Sequence, residues 1–267
     1  MSARHKKSRH VVLLVTVLVG HVLQLCAQSA SPSVRPSEPT PQDRPISWKL
    51  LPPNILNDQK PIWLFPKTVA EGKYLKPTFT FLSVTAGLIA LDPTISQPLR
   101  RTRALNGFNT VFSGRNTSIG MAAFPFAFYL YGLARKSTPA QHTVLLAGEA
   151  VIDSEILTSV FKDIDRRLRP NQLPPNGDYS DSWFRAHGHP LGGIGSFPSG
   201  HMIAAFSIAT VFADRYPKPA WHRWVAFGLA GLVGFSRVTL ESHFPSDVFA
   251  SAVLGYSIAH YVVLRRR

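Results

Sequence analysis

The chain has 267 residues, 29 Lys plus Arg against 15 Asp plus Glu, a net charge of +14 and a mean hydropathy of +0.04. Apolar residues at 45% exclude a disordered chain, and a hydropathy near zero excludes one made only of membrane spans. A single cysteine, Cys26, leaves no disulfide framework and no Cys-based zinc site.

Residues 1–10 carry Arg4, Lys6, Lys7 and Arg9 without an acid, ahead of an apolar run from Val11 that ends in Cys26-Ala-Gln-Ser-Ala30. This is the pattern of an export signal over residues 1–30, cleaved or kept as an anchor. Four of the 29 bases lie there, so the remainder holds 25 against all 15 acids, or +10. Such a balance suits an anionic substrate or an anionic lipid surface. The bases are scattered, with no basic helix or aromatic-basic sheet pattern, which argues against nucleic acid. Pro32, Pro36, Pro39, Pro41 and Pro45 among Ser, Thr and Gln predict an extended tether over residues 31–53. Residues 54–78 are broken by prolines and predict an irregular segment that docks through Trp63, Leu64 and Phe65.

Beyond it, hydrophobic patterning predicts helices at about 79–91, 116–134, 141–167, 200–214, 221–236 and 246–264. Alternating strand patterns are scarce and Gly-rich nucleotide loops absent, so residues 79–267 are expected to form an all-α bundle of about six helices. Two settings fit, a soluble exported bundle and a membrane-embedded one, since a span needs about 20 apolar residues. Asn116 to Ala134 is 19 residues without a charge, whereas Phe79 to Leu91 is only 13 and should not span. The third helix carries Glu149, Asp153 and Glu155.

Three stretches carry chemistry. Lys162 and Arg169 are seven residues apart, two helical turns if the helix runs on to Pro170, so both cations would project from one face. Asp163, Asp165, Arg166 and Arg167 between them read as the solvated side. Pro198-Ser199-Gly200-His201 opens an apolar run, and a Ser-Gly helix start leaves backbone N–H groups where an oxyanion is stabilised, with His201 placed to hand over a proton. In Ser236-Arg237-x5-His243-Phe-Pro245-Ser-Asp247, Pro245 starts a helix that sets the Asp247 carboxylate to accept a hydrogen bond from one ring nitrogen of His243, leaving the other nitrogen basic.

The combined pattern, Lys-x6-Arg-Pro, Pro-Ser-Gly-His and Ser-Arg-x5-His-x3-Asp, resembles the three signature motifs of the type 2 phosphatidic acid phosphatase superfamily, which includes bacterial non-specific acid phosphatases and vanadium haloperoxidases. All eleven specified residues stand in order between Lys162 and Asp247. The resemblance implies an all-α bundle with its active site at one end, and phosphomonoester hydrolysis through a phosphohistidine without metal or cofactor. By that resemblance His243 is the nucleophile, Asp247 orients it and His201 protonates the leaving oxygen. Lys162, Arg169 and Arg237 hold the phosphoryl oxygens, with Ser199 and the Gly200 amide completing the cradle.

Residues 171–194, with Trp183 and Phe184, are expected to form the rim that selects the leaving group. His187 and His189 there have no acid or Cys at ligand spacing and read as exposed loop histidines. A vanadate-dependent haloperoxidase would use the same residues but usually a longer chain, and a non-catalytic phosphate-binding protein would not need His243 and His201. The expected substrate is a lipid phosphate or a small phosphomonoester outside the cytoplasm.

Overall fold

The structure is a computed structural model that describes residues 44–101, 104–174, 179, 181–189 and 194–264. The export signal expected over residues 1–30 and the tether to residue 43 lie outside them. Described residues form helices and loops with no strand: α1 (Leu51–Trp63), α2 (Phe65–Ala70), α3 (Leu75–Arg101), α4 (Asn106–Val111), α5 (Gly114–Ala134), α6 (Thr138–Asp165), α7 (Gly200–Arg215), α8 (Trp221–Thr239) and α9 (Pro245–Ile258), which continues as a π turn over Ala259–Val263. The six long helices, α3 and α5 to α9, coincide with the six predicted segments.

The segment expected to be irregular is instead α1 and α2. Pro66 starts α2, as Pro52 just upstream starts α1, each in a first turn where a missing N–H costs nothing and a fixed φ is already helical, while Pro61 is accommodated inside α1. Trp63, Leu64 and Phe65 do not dock but stay between 43% and 46% exposed. The end of the expected tether is anchored too. Ile46 enters the core beside Leu145, Leu146, Val211 and Val263. Arg44 pairs with Asp58 at 2.6 Å and with Glu149 at 3.1 Å, and Gln59 donates to Asp153 at 2.8 Å. Glu149 and Asp153, two of the acids that counted against a spanning α6, are therefore buried against polar partners.

Helix α3 has 27 residues, about twice the expected length. The apolar run stops at Leu91 but the helix continues, because Asp92 is wholly buried on Arg167 and Ser246. Among the described residues, Leu75–Leu99 and α5 are the two stretches long and apolar enough to cross a membrane, and only 11% and 17% of their apolar windows are buried.

From α5 onward the helices alternate in direction. Ser113 caps α5 by accepting from the Asn116 amide, and Ser137 caps α6 by accepting from the Ala140 amide. α7 packs on α6, α8 and α9. At Gly255 a Cβ would overlap the Ile203 carbonyl, so a glycine is needed for α9 to approach α7 this closely. This alternation gathers the starts of α5, α7 and α9 and the ends of α6 and α8 at one end of the bundle.

Candidate active site

That end holds all three motifs. Asp165 is the last residue of α6, and Arg166 follows in the left-handed conformation at φ 43°. Residues 167–169 then run on to a 3-10 turn at Pro170–Gln172. Lys162 and Arg169 are therefore not two turns apart on one helix. Lys162 comes from the last turn of α6 and Arg169 from extended backbone at φ −79°, ψ 153°. Gly195 brings the loop of residues 194–199 against this corner: a Cβ there would lie 2.9 Å from the Lys162 carbonyl oxygen and 3.1 Å from Asp165 Oδ1.

His243 is 2% exposed, in the short connection between α8 and α9. Its Nδ1 lies 2.7 Å from the Ser196 carbonyl oxygen, to which it donates, and 3.8 Å from Asp247 Oδ2, beyond hydrogen-bond reach. The direct bond expected from His243 to Asp247 is thus replaced by one to a backbone carbonyl. Asp247 stands behind that carbonyl: its Oδ2 accepts from Ser196 Oγ at 2.5 Å and from the Phe244 amide at 2.8 Å. With Nδ1 protonated, Nε2 carries the lone pair, and it faces Arg169 Nη1 at 3.4 Å. Burial pushes the His243 pKa down to about 4 against the opposing pull of the Asp247 charge, so the imidazole is neutral near pH 7. Burial also lowers the Arg169 pKa, though a guanidinium remains charged.

Arg237, 2% exposed in the last turn of α8, donates to the Phe112 carbonyl, to Thr117 Oγ1 at 3.2 Å and to Ser236 Oγ at 2.9 Å. None of these is a carboxylate. His201, in the first turn of α7, places Nε2 3.0 Å from Ser118 Oγ and 3.2 Å from the Gly114 carbonyl. A Cβ on Gly114 would sit 3.5 Å from Arg237 Nη1 and 4.0 Å from His201 Nε2, so this glycine leaves room beside both. Ser199 precedes α7 with its amide held by Ser251 Oγ at 2.6 Å, while its own Oγ is buried without a partner. An orphaned hydroxyl, the open amides of a helix start and three cations not paired to any carboxylate of the described residues within 4 Å are the donor set of a tetrahedral oxyanion site.

The residues between Lys162 and Arg169 differ most from expectation. Arg167 is 1% exposed and Asp165 is buried, so neither lies on a solvated face, while Asp163 and Arg166 are half-buried. Trp183 covers the Arg167 guanidinium at 4.3 Å instead of lining a rim, whereas Phe184 is 72% exposed and His187 and His189 are exposed. The sequence reading also missed Asp92, Ser118, Ser196 and Ser251. Asp92 had a signal, a lone acid closing an apolar helix; the serines had none.

Residues 143–267 match the PAP2 superfamily model, and the three motifs fall inside that match. The chain carries a PAP2 superfamily domain. Among its relatives it is 25% identical over 162 residues to a lipid A 4'-phosphatase of Porphyromonas gingivalis, covering 59% of this chain and 64% of that one. It is 30% identical over 118 residues to a lipid A 1-phosphatase of Rhizobium johnstonii, covering 43% and 46%. Over 63 residues it is 41% identical to an undecaprenyl-diphosphatase of Bacillus subtilis, covering 24% of this chain and 31% of that one. The chain thus spans less than two thirds of the length of each of these three. A transmembrane PAP2-type phosphatidylglycerolphosphate phosphatase of Bacillus subtilis, solved by crystallography, superposes with a TM-score of 0.45 at 23% identity over 70% of this chain and 92% of that one.

Proposed function

We propose that this protein is a metal-independent phosphatase that hydrolyses a phosphomonoester on a membrane lipid through a phosphohistidine at His243. The observation that carries the reading is the His243 environment: Nδ1–H is given to the Ser196 carbonyl, and the Nε2 lone pair points toward Arg169. A neutral imidazole aimed into a cationic site is a nucleophile facing phosphorus.

The phosphoryl group is held by Lys162, Arg169, Arg237, Ser199 Oγ and the Gly200 amide. As Nε2 forms its bond to phosphorus, the P–O bond to the alcohol breaks and His201 donates a proton to the departing oxygen. Water then attacks phosphorus in line, giving its proton to His201 as the P–N bond breaks and the electron pair returns to His243. Phosphoryl transfer is mainly a matter of positioning and charge stabilisation, which three fixed cations supply without magnesium.

A lipid substrate is supported by the long apolar surfaces left bare, among them Phe79 at 74% and Phe126 at 63% exposed on the two helices of spanning length. The names of the relatives, lipid A phosphatases and an undecaprenyl-diphosphatase, point the same way. The site faces outside the cytoplasm in this reading, since the α5–α6 turn with Arg135 and Lys136 and the α7–α8 loop with Lys218 lie at the opposite end. The test is phosphate release by the purified full chain in detergent with excess EDTA, comparing lipid phosphates with a soluble monoester. Release from lipids without metal supports the proposal; strict dependence on magnesium or zinc overturns it.

A further inference from the structure

Arg167 has no place in the scheme above, yet with Arg237 it is one of the two largest fully buried side chains among the described residues. Its guanidinium lies 4.3 Å from the Trp183 ring centre and 4.0 Å from that of Phe244. Nε donates to Ser182 Oγ at 3.2 Å, Nη1 to Asp247 Oδ1 at 2.5 Å and to Ser246 Oγ at 2.8 Å, and Nη2 to Asp92 Oδ2 at 2.6 Å. Asp92 in turn accepts from the Ser246 amide at 3.0 Å and from its hydroxyl at 2.5 Å, which ties α3 to the first turn of α9.

We infer that Arg167, held in place by Asp92, is a positioning residue for the nucleophile, acting on His243 through Asp247 and Ser196. A carboxylate 3.8 Å from a buried imidazole would ordinarily turn to take its N–H, which is the arrangement expected from the motif alone. Here both oxygens are already engaged, Oδ1 by Arg167 and Oδ2 by Ser196 Oγ and the Phe244 amide. The imidazole N–H goes to the neutral Ser196 carbonyl instead. That selects the tautomer with Nε2 free, and it avoids forming an imidazolium–carboxylate pair that would hold a proton on the nucleophile. The charged groups facing His243 are Asp247, Arg169 and Lys162, and only Asp247 favours the protonated ring. Arg167 offsets that one influence. Asp92 lies outside residues 143–267, so helix α3 is part of the catalytic unit.

This inference rests on the phosphohistidine reading and is tested in the detergent-purified full chain with a phosphomonoester that the wild type hydrolyses. Arg167→Met keeps an unbranched stem between Trp183 and Phe244 but removes every donor. It is expected to lower kcat about 100-fold, counted per active site titrated with vanadate, with KM and the vanadate inhibition constant within about threefold of wild type. The acid limb of its kcat/KM profile should move upward, because the freed Asp247 then favours the imidazolium. Asp92→Asn keeps the shape and loosens Arg167, and should show the same split with a loss of about tenfold. Arg167→Lys should recover part of the loss.

Two results overturn the inference. One is kcat per titrated site within about threefold of wild type in both Arg167→Met and Asp92→Asn. The other is a loss that follows only the fraction of folded protein, with the acid limb unmoved. A wild type that releases no phosphate under any condition refutes the underlying reading instead.

Discussion

At the scale of single residues, the two histidines are asked for different things, and their surroundings differ accordingly. His243 is buried among groups that keep it neutral, while His201 sits at the mouth of α7 with Nε2 shared between Ser118 Oγ and the Gly114 carbonyl. Replacing His201 by Ala should cost an alkyl phosphate about 100-fold or more in kcat but a nitrophenyl phosphate far less, because a good leaving group hardly needs the proton. Equal losses on both substrates would remove His201 from the acid role. For His243, a folded-state pKa of about 4 against 6.5 means that the unfolded chain binds more protons between those values. Stability from this group is complete above pH 6.5 and is lost as the pH falls toward 4. Imidazole NMR should accordingly report His243 neutral at pH 5.5; protonation near 6.5 would contradict the burial argument.

Whole elements depend on close approaches that single glycines permit. Gly195→Ala should push the 195–196 backbone off the Lys162 carbonyl and tilt the carbonyl that orients His243. The expected result is an activity loss of about tenfold or more with helix content unchanged, measured by circular dichroism alongside turnover. Gly255→Ala acts on packing instead, where overlap with the Ile203 carbonyl should cost about 1–3 kcal/mol of stability. The long helices were legible because α5 to α9 are apolar runs bounded by Ser, Pro and loop residues, patterns that local chemistry reads directly. Residues 54–78 were not, since a proline that breaks a helix and a proline that starts one look alike until the first turn is known. The site motifs named the residues that face the anion, but not the second layer behind them. Arg167 is indistinguishable in sequence from its neighbour Arg166, and only the left-handed turn at Arg166 decides which of the two points inward. The His243 acceptor could not be read either, because a backbone carbonyl 47 residues away leaves no mark in the motif.

At the scale of the molecule, α3 and α5 bare apolar faces that a soluble bundle would cover, and the site lies at the end opposite the Arg135–Lys136 turn. Arg115, in the first turn of α5, stands at the site end, a counterweight that makes the orientation a matter for labelling. With Cys26 replaced by Ser, a cysteine at Gln172 should be tagged from outside intact cells and cysteines at Lys136 and Lys218 spared. Labelling of all three would indicate an exported soluble domain, and labelling of the latter two alone would invert the orientation. The claim on which everything else rests is the covalent intermediate. Rapid alkaline quench of the full chain turning over a 32P-labelled phosphomonoester in excess EDTA should trap label that survives base, is lost in acid, maps to His243 and is absent from His243→Ala. Turnover without such label, or label that persists in His243→Ala, would contradict the account.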